Sequence, residues 1–266
     1  MKKKYNYSSK DIYVSLKRIG LKRKAIVYCH SNIGVSGKLK GAHDADGICR
    51  QIYKNIFRII GKNGLLIVPT YTYSFGKNRY GLEFKKKEIF NKSKTPSLMG
   101  LFSEWIRKKK GSQRTNDPFF SSSLLGNYKK INLNISNNSF DKNSLFSRLD
   151  TLNATFLNIN FSGYTYIHYI EKKLKVKYRF DKKFVGRMYI KKKPTLVEWK
   201  IFVRNKNKKK LVDNHIPLVN YMKKKKLIRT ANLGRGEISL TNAEKIELAI
   251  RSKLKDNSLY LTCYDS

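Results

Sequence analysis

Lys24-Ala-Ile-Val-Tyr-Cys-His30, the loop Ser31-Asn-Ile-Gly-Val-Ser-Gly37 that follows it, and Gly64-Leu-Leu-Ile-Val-Pro69 decide the fold. The first segment is apolar and rich in β-branched and aromatic residues, as a strand requires, and the last is a continuous apolar run of the kind found in fully buried strands. Between them Ile48, Ile52, Ile56 and Ile60 return once per helical turn on one face, and Gly61 and Gly64 punctuate the helix end. Residues 24–69 are therefore expected to form one β-loop-α-β unit, which implies a parallel strand pair and an α/β architecture with a mixed central sheet flanked by helices.

Upstream, Ser8 and Asp11 have capping-box spacing and open a short helix that ends at Gly20. Downstream, residues 70–94 are rich in Tyr and Lys without a clear period and are expected to form a long functional loop or flap. Thr95-Pro96 supplies an N-cap and a first-turn proline, and Leu98, Leu101, Phe102, Trp105 and Ile106 follow as the apolar stripe of an amphipathic helix. Ala154–Phe161 reads as another strand, and the pattern turns helical after Ser162-Gly163. From about residue 184 the chain becomes strand-rich, with lysine-heavy turns at 191–193, 206–210 and 223–226, and a final helix opens at a second capping box, Thr241 with Glu244. The expected organisation is one domain over residues 1–266, its strand-rich part 184–266 packed on a core formed by 10–180.

With 266 residues the chain is long enough to bury a full core, and 40% hydrophobic and 12% aromatic residues exclude a disordered chain. Charge is the unusual quantity: 58 Lys+Arg against 18 Asp+Glu give +40. A nucleic-acid binder is the obvious reading. Only 14 of those cations are Arg, however, so the forked donor that reads phosphate and guanine is the minority. Abundant Lys, Asn, Ile and Tyr point instead to a compositional bias, and the lysine runs to solvated turns. No run of about 18 apolar residues is present, so no membrane span is expected. The start MKKKYNYSSKDIY has no apolar core for a secretory signal, which makes the cytoplasm the expected location. Cys29, Cys49 and Cys263 are odd in number and far apart, and His30, His43, His168 and His215 are scattered, so neither a disulfide framework nor a metal site is expected.

Three segments carry groups that suit chemistry. Ser31, Asn32, Ile33 and Gly34 lie between a strand and a helix, where backbone N–H groups converge on a phosphate; an ordinary tight turn is the alternative. Arg114-Thr-Asn-Asp-Pro-Phe-Phe-Ser-Ser-Ser-Leu-Leu-Gly126 brings together a cation, Asp117 and a hydroxyl cluster, which suits polar ligand contacts; an Asx turn at Asp117 beside a surface Arg is the alternative. Thr165, His168 and Glu171 share one helical face opposite Ile167, Ile170 and Leu174. A His titrating near its usual pKa of about 6.5 accepts a proton at neutral pH, and a carboxylate one turn away orients its ring; the alternative is an exposed helix face.

Taken in order, these segments resemble the aminoglycoside 3-N-acetyltransferase family. The matching positions are His30-Ser31-Asn32-Ile33, then Gly64 to Pro69-Thr70, then Thr95-Pro96 with Gly100. Arg114-Thr115-Asn116-Asp117-Pro118 with Ser121 and Gly126 follow, and then Thr165, His168 and Glu171. Leu233-Gly234-Arg235-Gly236 resembles the family's closing segment, so the likeness runs from about residue 10 to the C-terminus. Each motif is loose by itself, whereas five in order are specific. Two positions depart from the pattern: Asp117 stands where many antibiotic-modifying members carry His, and Asn32 replaces a common Ser.

The resemblance implies the family's α/β fold and an acyl-CoA-dependent N-acyltransferase, with acetyl-CoA or another acyl-CoA as co-substrate. It implies that Ser31, Asn32, Ile33, Gly34 and Thr70 meet CoA, and that His168 is the general base. Glu171 would be its acidic partner or the anchor of the amine, Asp117 being the other candidate partner, while Asp117, Arg114 and Thr165 contact the acceptor. A positioned base of this kind contributes about 10²–10⁴-fold, and holding amine and thioester together supplies much of the remaining acceleration. The charge of +40 disfavours a polycationic antibiotic. The expected acceptor is an anionic amino sugar, such as a nucleotide-linked intermediate of surface-polysaccharide synthesis, with aminoglycoside resistance and nucleic-acid binding as the alternatives. Oligomeric state is left open.

Overall fold

The computed structural model describes residues 5–75, 89–205 and 211–264. The expected β-loop-α-β unit is present as β1 (Ile26–Ser31), α2 (Ala45–Ile60) and β2 (Leu65–Pro69), preceded by α1 (Ser9–Arg18). Helix α3 (Leu101–Lys108), β3 (Gln113–Arg114), β4 (Ser122–Gly126), α4 (Leu145–Thr151), β5 (Thr155–Ile159) and α5 (Ile167–Lys173) follow. The C-terminal part contains β6 (Arg179–Ile190), β7 (Lys193–Arg204), β8 (Leu211–Asp213), α6 (Ile216–Lys224), β9 (Arg229–Leu233), β10 (Gly236–Asn242), α7 (Ala243–Asp256) and β11 (Thr262–Tyr264).

Seven strands form the central sheet in the order β3-β4-β2-β1-β5-β10-β9. Its middle is parallel, β2 with β1 and β1 with β5, and antiparallel pairs extend it on both sides. The expected mixed sheet is thus confirmed, and alternation along its strands builds two cores. Val27, Cys29, Leu66, Val68 and Leu157 face α1, α2 and α3, where they meet Ile52, Ile56 and Ile60. Tyr28, Leu65, Ile67 and Phe156 face the other way and pack with residues of α4 to α7 and with Trp199 of the β6-β7 hairpin. Cys29 and His30 therefore lie on opposite faces, and burial pushes the Cys29 thiol up, which leaves no activated thiolate there.

This layering creates a switch point. The helix after β1 covers one face and the helix after β5 covers the other, although β1 and β5 are adjacent and parallel. The two segments diverge at the carboxyl ends of these strands, the position at which open α/β sheets bind ligands.

Several local expectations are corrected. The capping box at Ser8 and Asp11 is present, but Thr241 does not cap α7: Asn242 does, by accepting from Lys245 N, while the Thr241 hydroxyl donates to Leu227 O. Thr95 and Pro96 precede α3, whose N-cap is Gly100, and Leu98 and Leu101 are exposed, so Phe102 and Ile106 form its buried side. Thr95 is instead held inward, its hydroxyl accepting from Asn91 N. The loop after β1 enters one turn of 3-10 helix, Ile33–Ser36, rather than α2, which starts at Ala45 with Asp44 as its cap. Within the expected flap at 70–94, residues 76–88 lie outside the described residues, while Tyr71 and Phe90 on its flanks are buried. The lysine run 206–210 also lies outside them, and Lys191 and Lys192 form the tight turn between β6 and β7 with positive φ.

Candidate active site

Helix α5 starts beyond the carboxyl end of β5 and carries His168 and Glu171 on one face. That face is turned inward, contrary to the exposed-face alternative: Glu171 is completely buried and the His168 side chain is only 17% exposed. His168 Nδ1 lies 2.7 Å from Glu171 Oε2. A carboxylate only accepts, so Nδ1 carries the hydrogen, and the neutral tautomer that this contact selects has its lone pair on Nε2. The Glu171–His168 contact also shows which carboxylate partners the imidazole; Asp117 is engaged elsewhere.

Residues beyond α5 complete the surroundings of Glu171. The Tyr178 hydroxyl donates to Oε1 at 2.7 Å. Arg179 Nε lies 2.9 Å from Oε2, but its N–H does not point along that line, so the contact is an ion pair and not a hydrogen bond. Burial pushes the Glu171 carboxyl up; the hydrogen bond and charge of His168, together with Arg179 and Tyr178, more than offset it and hold the group at about 2. Arg179 is itself paired with Asp213, which Arg204 also contacts at 3.3 Å. Two more rings bound His168: Phe140 approaches edge-on at 5.7 Å, and His215 lies at 5.5 Å. Burial, with His168 next, lowers His215 to about 4. None of Tyr178, Arg179 and His215 was marked by a motif, because the turn after α5 breaks the helical period that would have linked them to Glu171.

At the switch point itself, His30 is buried, stacked on Phe161 at 4.9 Å, and held at about 3 by burial. Its Nε2 lies 3.4 Å from the Thr165 hydroxyl. Thr165 also hydrogen-bonds Tyr71, whose hydroxyl contacts that of Tyr28 at 2.8 Å, and Tyr28 in turn reaches Ser122 Oγ at 3.1 Å. Thr165, one turn ahead of His168, is thus joined by a buried polar chain to Ser122 of β4.

The loop after β1 has the features of a ligand cradle at two positions. Ser31 Oγ is buried with no hydrogen-bond partner, and a Cβ at Gly34 would meet nothing nearer than Asn32 Oδ1 at 3.9 Å. Asn32 is anchored by its backbone, its N–H donating to Ile159 O and its carbonyl accepting from Asn160, while the Ile33 side chain is core. Ser31 and Gly34 therefore fit a phosphate or pantetheine group. Thr70 does not: it is fully buried, its N–H and hydroxyl both donate to Ser121 O, and its oxygen accepts from Arg114. Arg114, expected to contact the acceptor and a surface residue only on the alternative reading, is also buried. Its guanidinium donates to Thr70 O and Thr95 O at 2.5 Å each, and to Lys92 O at 3.2 Å. Arg114 thereby ties the sheet edge to the segment ahead of α3. Asp117 is likewise internal, accepting from Phe119 N and Phe120 N at 2.8 Å each as the Asx turn predicts, and burial pushes it up to about 6.

Among the described residues, no group of three His, Cys, Asp or Glu is placed to hold a metal ion. No helix among them is long and apolar enough to cross a membrane.

A family model described as aminoglycoside 3-N-acetyltransferase matches residues 29–255. No curated protein sequence matches the chain. Solved structures of the same fold include aminoglycoside acetyltransferase AAC(3)-IIb, at TM-score 0.77 and 13% identity over 94% of this chain and 97% of that one. The AAC-IIIb binary complex with CoASH matches at TM-score 0.76 and 14% identity, over the same shares of 94% and 97%. The YokD protein from Bacillus subtilis matches at TM-score 0.71 and 16% identity, over 94% and 99%.

Proposed function

The chain belongs to the aminoglycoside 3-N-acetyltransferase family, whose members are acyl-CoA-dependent N-acetyltransferases, and from that premise we propose that His168 is the general base for acyl transfer to the amine of an amino sugar. The observation that carries this reading is the 2.7 Å contact between His168 Nδ1 and a buried, ionised Glu171. It fixes the tautomer that leaves Nε2 unprotonated, and it stabilises the imidazolium formed when Nε2 takes the amine proton. An amino group is largely protonated at neutral pH, so removing that proton is what makes it a nucleophile. Tyr178 and Arg179 hold Glu171 in place and act as positioning residues.

Acyl-CoA, when bound, supplies the thioester that is attacked. Ser31 and Gly34 would meet it, with Asn32 and Ile33 shaping the loop through backbone contacts. Thr70 and Arg114 support that region from inside the fold and are reassigned from ligand contact to positioning. Thr165, half-buried and one turn ahead of the base, would contact the acceptor, and Asp117 acts from the interior by holding the turn that carries Phe119 and Phe120.

For the acceptor, the reading with most support is an anionic amino sugar, such as a nucleotide-linked intermediate of surface-polysaccharide synthesis. Its support is the net charge of +40 and the pairing of the carboxylates around α5 with cations of the same chain: Glu171 and Asp213 with Arg179, Asp181 with Lys172, and Asp150 with Lys173. A second reading, an aminoglycoside acceptor, has its own observation. The loop that carries Phe140 lines, with Leu196–Lys200, a cleft of ≈ 520 Å³ holding Asp141 and Glu198, although Lys200 also lines it and Glu198 is paired with Lys183. Steady-state kinetics with acetyl-CoA separate the two: UDP- or dTDP-linked amino sugars should turn over faster than kanamycin-type amines, and the opposite ranking overturns the anionic reading. The assay medium should hold salt constant, because steering of charged acceptors weakens with ionic strength.

A further inference from the structure

Tyr178, whose hydroxyl holds Glu171, also lines a cavity of ≈ 880 Å³, none of whose other lining residues is assigned a part in acyl transfer. Its apolar walls are Leu174 and Val176 from the turn after α5, Leu211 of β8, Leu254 of α7 and Leu259 beyond it. Lys175, Lys177, Lys255 and Arg251 also line it, and all four are exposed. No carboxylate is among the described lining residues. Arg251 is engaged by Glu247, whereas Lys175, Lys177 and Lys255 have no ion pair among the described residues. Among the described residues the cavity thus offers an apolar interior with unpaired lysines at its mouth, and its volume lies in the range of about 300–1,000 Å³ typical of small-molecule sites.

We propose that this cavity binds a single-chain anionic amphiphile as a free molecule, with the apolar chain against Leu174, Val176, Leu254 and Leu259 and the carboxylate or phosphate head among Lys175, Lys177 and Lys255. A cationic or neutral amphiphile finds the same apolar walls but no partner for its head. A concave cavity of this size encloses one chain, whereas a bilayer surface needs a flat apolar face. Occupancy is transmitted to the dyad, because Tyr178 is at once a wall of the cavity and the donor to Glu171 Oε1. This coupling gains catalytic meaning from the reading of His168 as the base, but binding and coupling are both measurable without turnover.

Isothermal titration of the full chain with decanoate and decyl phosphate, below their micelle concentrations and beside decylammonium, tests the site. Both anions should bind at one site, each at least about tenfold more tightly than the cation, the size expected from three partly exposed ion pairs. Combined Lys175→Glu, Lys177→Glu and Lys255→Glu should abolish that preference, and Leu254→Asp should abolish binding, with circular dichroism showing that both variants are folded. Equal affinity for anion and cation, or unchanged affinity in both variants, overturns the site. Coupling is read from the imidazole nitrogen resonances of His168, which should move on saturation with decanoate in the parent and not in Tyr178→Phe. Resonances that stay fixed in the parent overturn the coupling. Failure of the acyl-transfer reading is distinguished by the absence of acetyl-CoA turnover with every amine, which changes none of these readouts.

Discussion

His168 and Glu171 are a pair whose strength comes from unequal environments, one half-open and one sealed. Replacing His168 with Ala should lower kcat/KM by about 10²–10⁴-fold while acyl-CoA affinity, measured by calorimetry, stays unchanged; a variant with full turnover would remove His168 from the mechanism. Glu171→Gln removes one of the two carboxylates paired with Arg179 and leaves Asp213, so it should destabilise in urea unfolding by less than the about 3–5 kcal/mol of a buried charge left without any partner. Acid titration has a defined sign here. Glu171 is depressed to about 2, so its stabilisation is present above the unfolded carboxylate value and is lost as pH falls toward 2. Asp117 is raised to about 6, so its contribution is present below the unfolded value and is lost as pH rises through 6. Stability of Asp117→Asn relative to the parent should therefore increase between about pH 4 and pH 7, and a pH-independent difference would show that the carboxyl is not held protonated. The dyad's spacing was legible in sequence, since three residues along a helix share a face. Its burial was not, because a polar face looks the same whether water or protein covers it.

Among the elements, those with an uninterrupted period were readable and those fixed by neighbours were not. Strand β1, helix α2 and strand β2 follow from runs of apolar residues at their proper spacings. The β6-β7 hairpin begins five residues earlier than the strand-rich region expected from about 184, because Arg179 and Phe180 continue the ladder as partners of Arg204 and Val203. Helix α6 escaped notice: it is short, and its buried Leu218, Val219 and Met222 lie between a lysine run and other polar residues. The turn between β9 and β10 illustrates how tertiary contact adds to local chemistry. Gly234 has φ +60°, and a Cβ there would lie 2.2 Å from Ser36 O, against the 3-10 turn after β1. Gly234→Ala should therefore destabilise by more than about 1 kcal/mol in thermal or urea unfolding, beyond the usual left-handed penalty. An unchanged midpoint would mean that the β9-β10 turn does not seat against that loop.

For the molecule as a whole, the charge of +40 and the sheet point in different directions. The charge alone suggests nucleic acid, but the deepest organisation lies at the divergence of β1 and β5, where His30 and Thr165 meet. Duplex DNA should bind only non-specifically, with Kd no tighter than about 10⁻⁶ M at physiological salt and a steep decline as salt rises. Filter binding across a salt series checks this, and tight, salt-resistant binding would give the charge a functional meaning of its own.

The order of strand, helix, motif and dyad was determined by the chain itself, because apolar period and residue spacing are local properties that hold wherever the segment is placed. The residues that surround the dyad were decided only in three dimensions. Tyr178 and Arg179 reach Glu171 from beyond a turn, and His215 reaches His168 from a distant helix. Thr70 and Arg114, which stand in ligand-facing motifs by position, turn out to be internal supports. Burial and partner choice depend on how β5, β6 and α6 pack across one another, and the free energy of a buried carboxylate depends on those partners rather than on its neighbours in sequence.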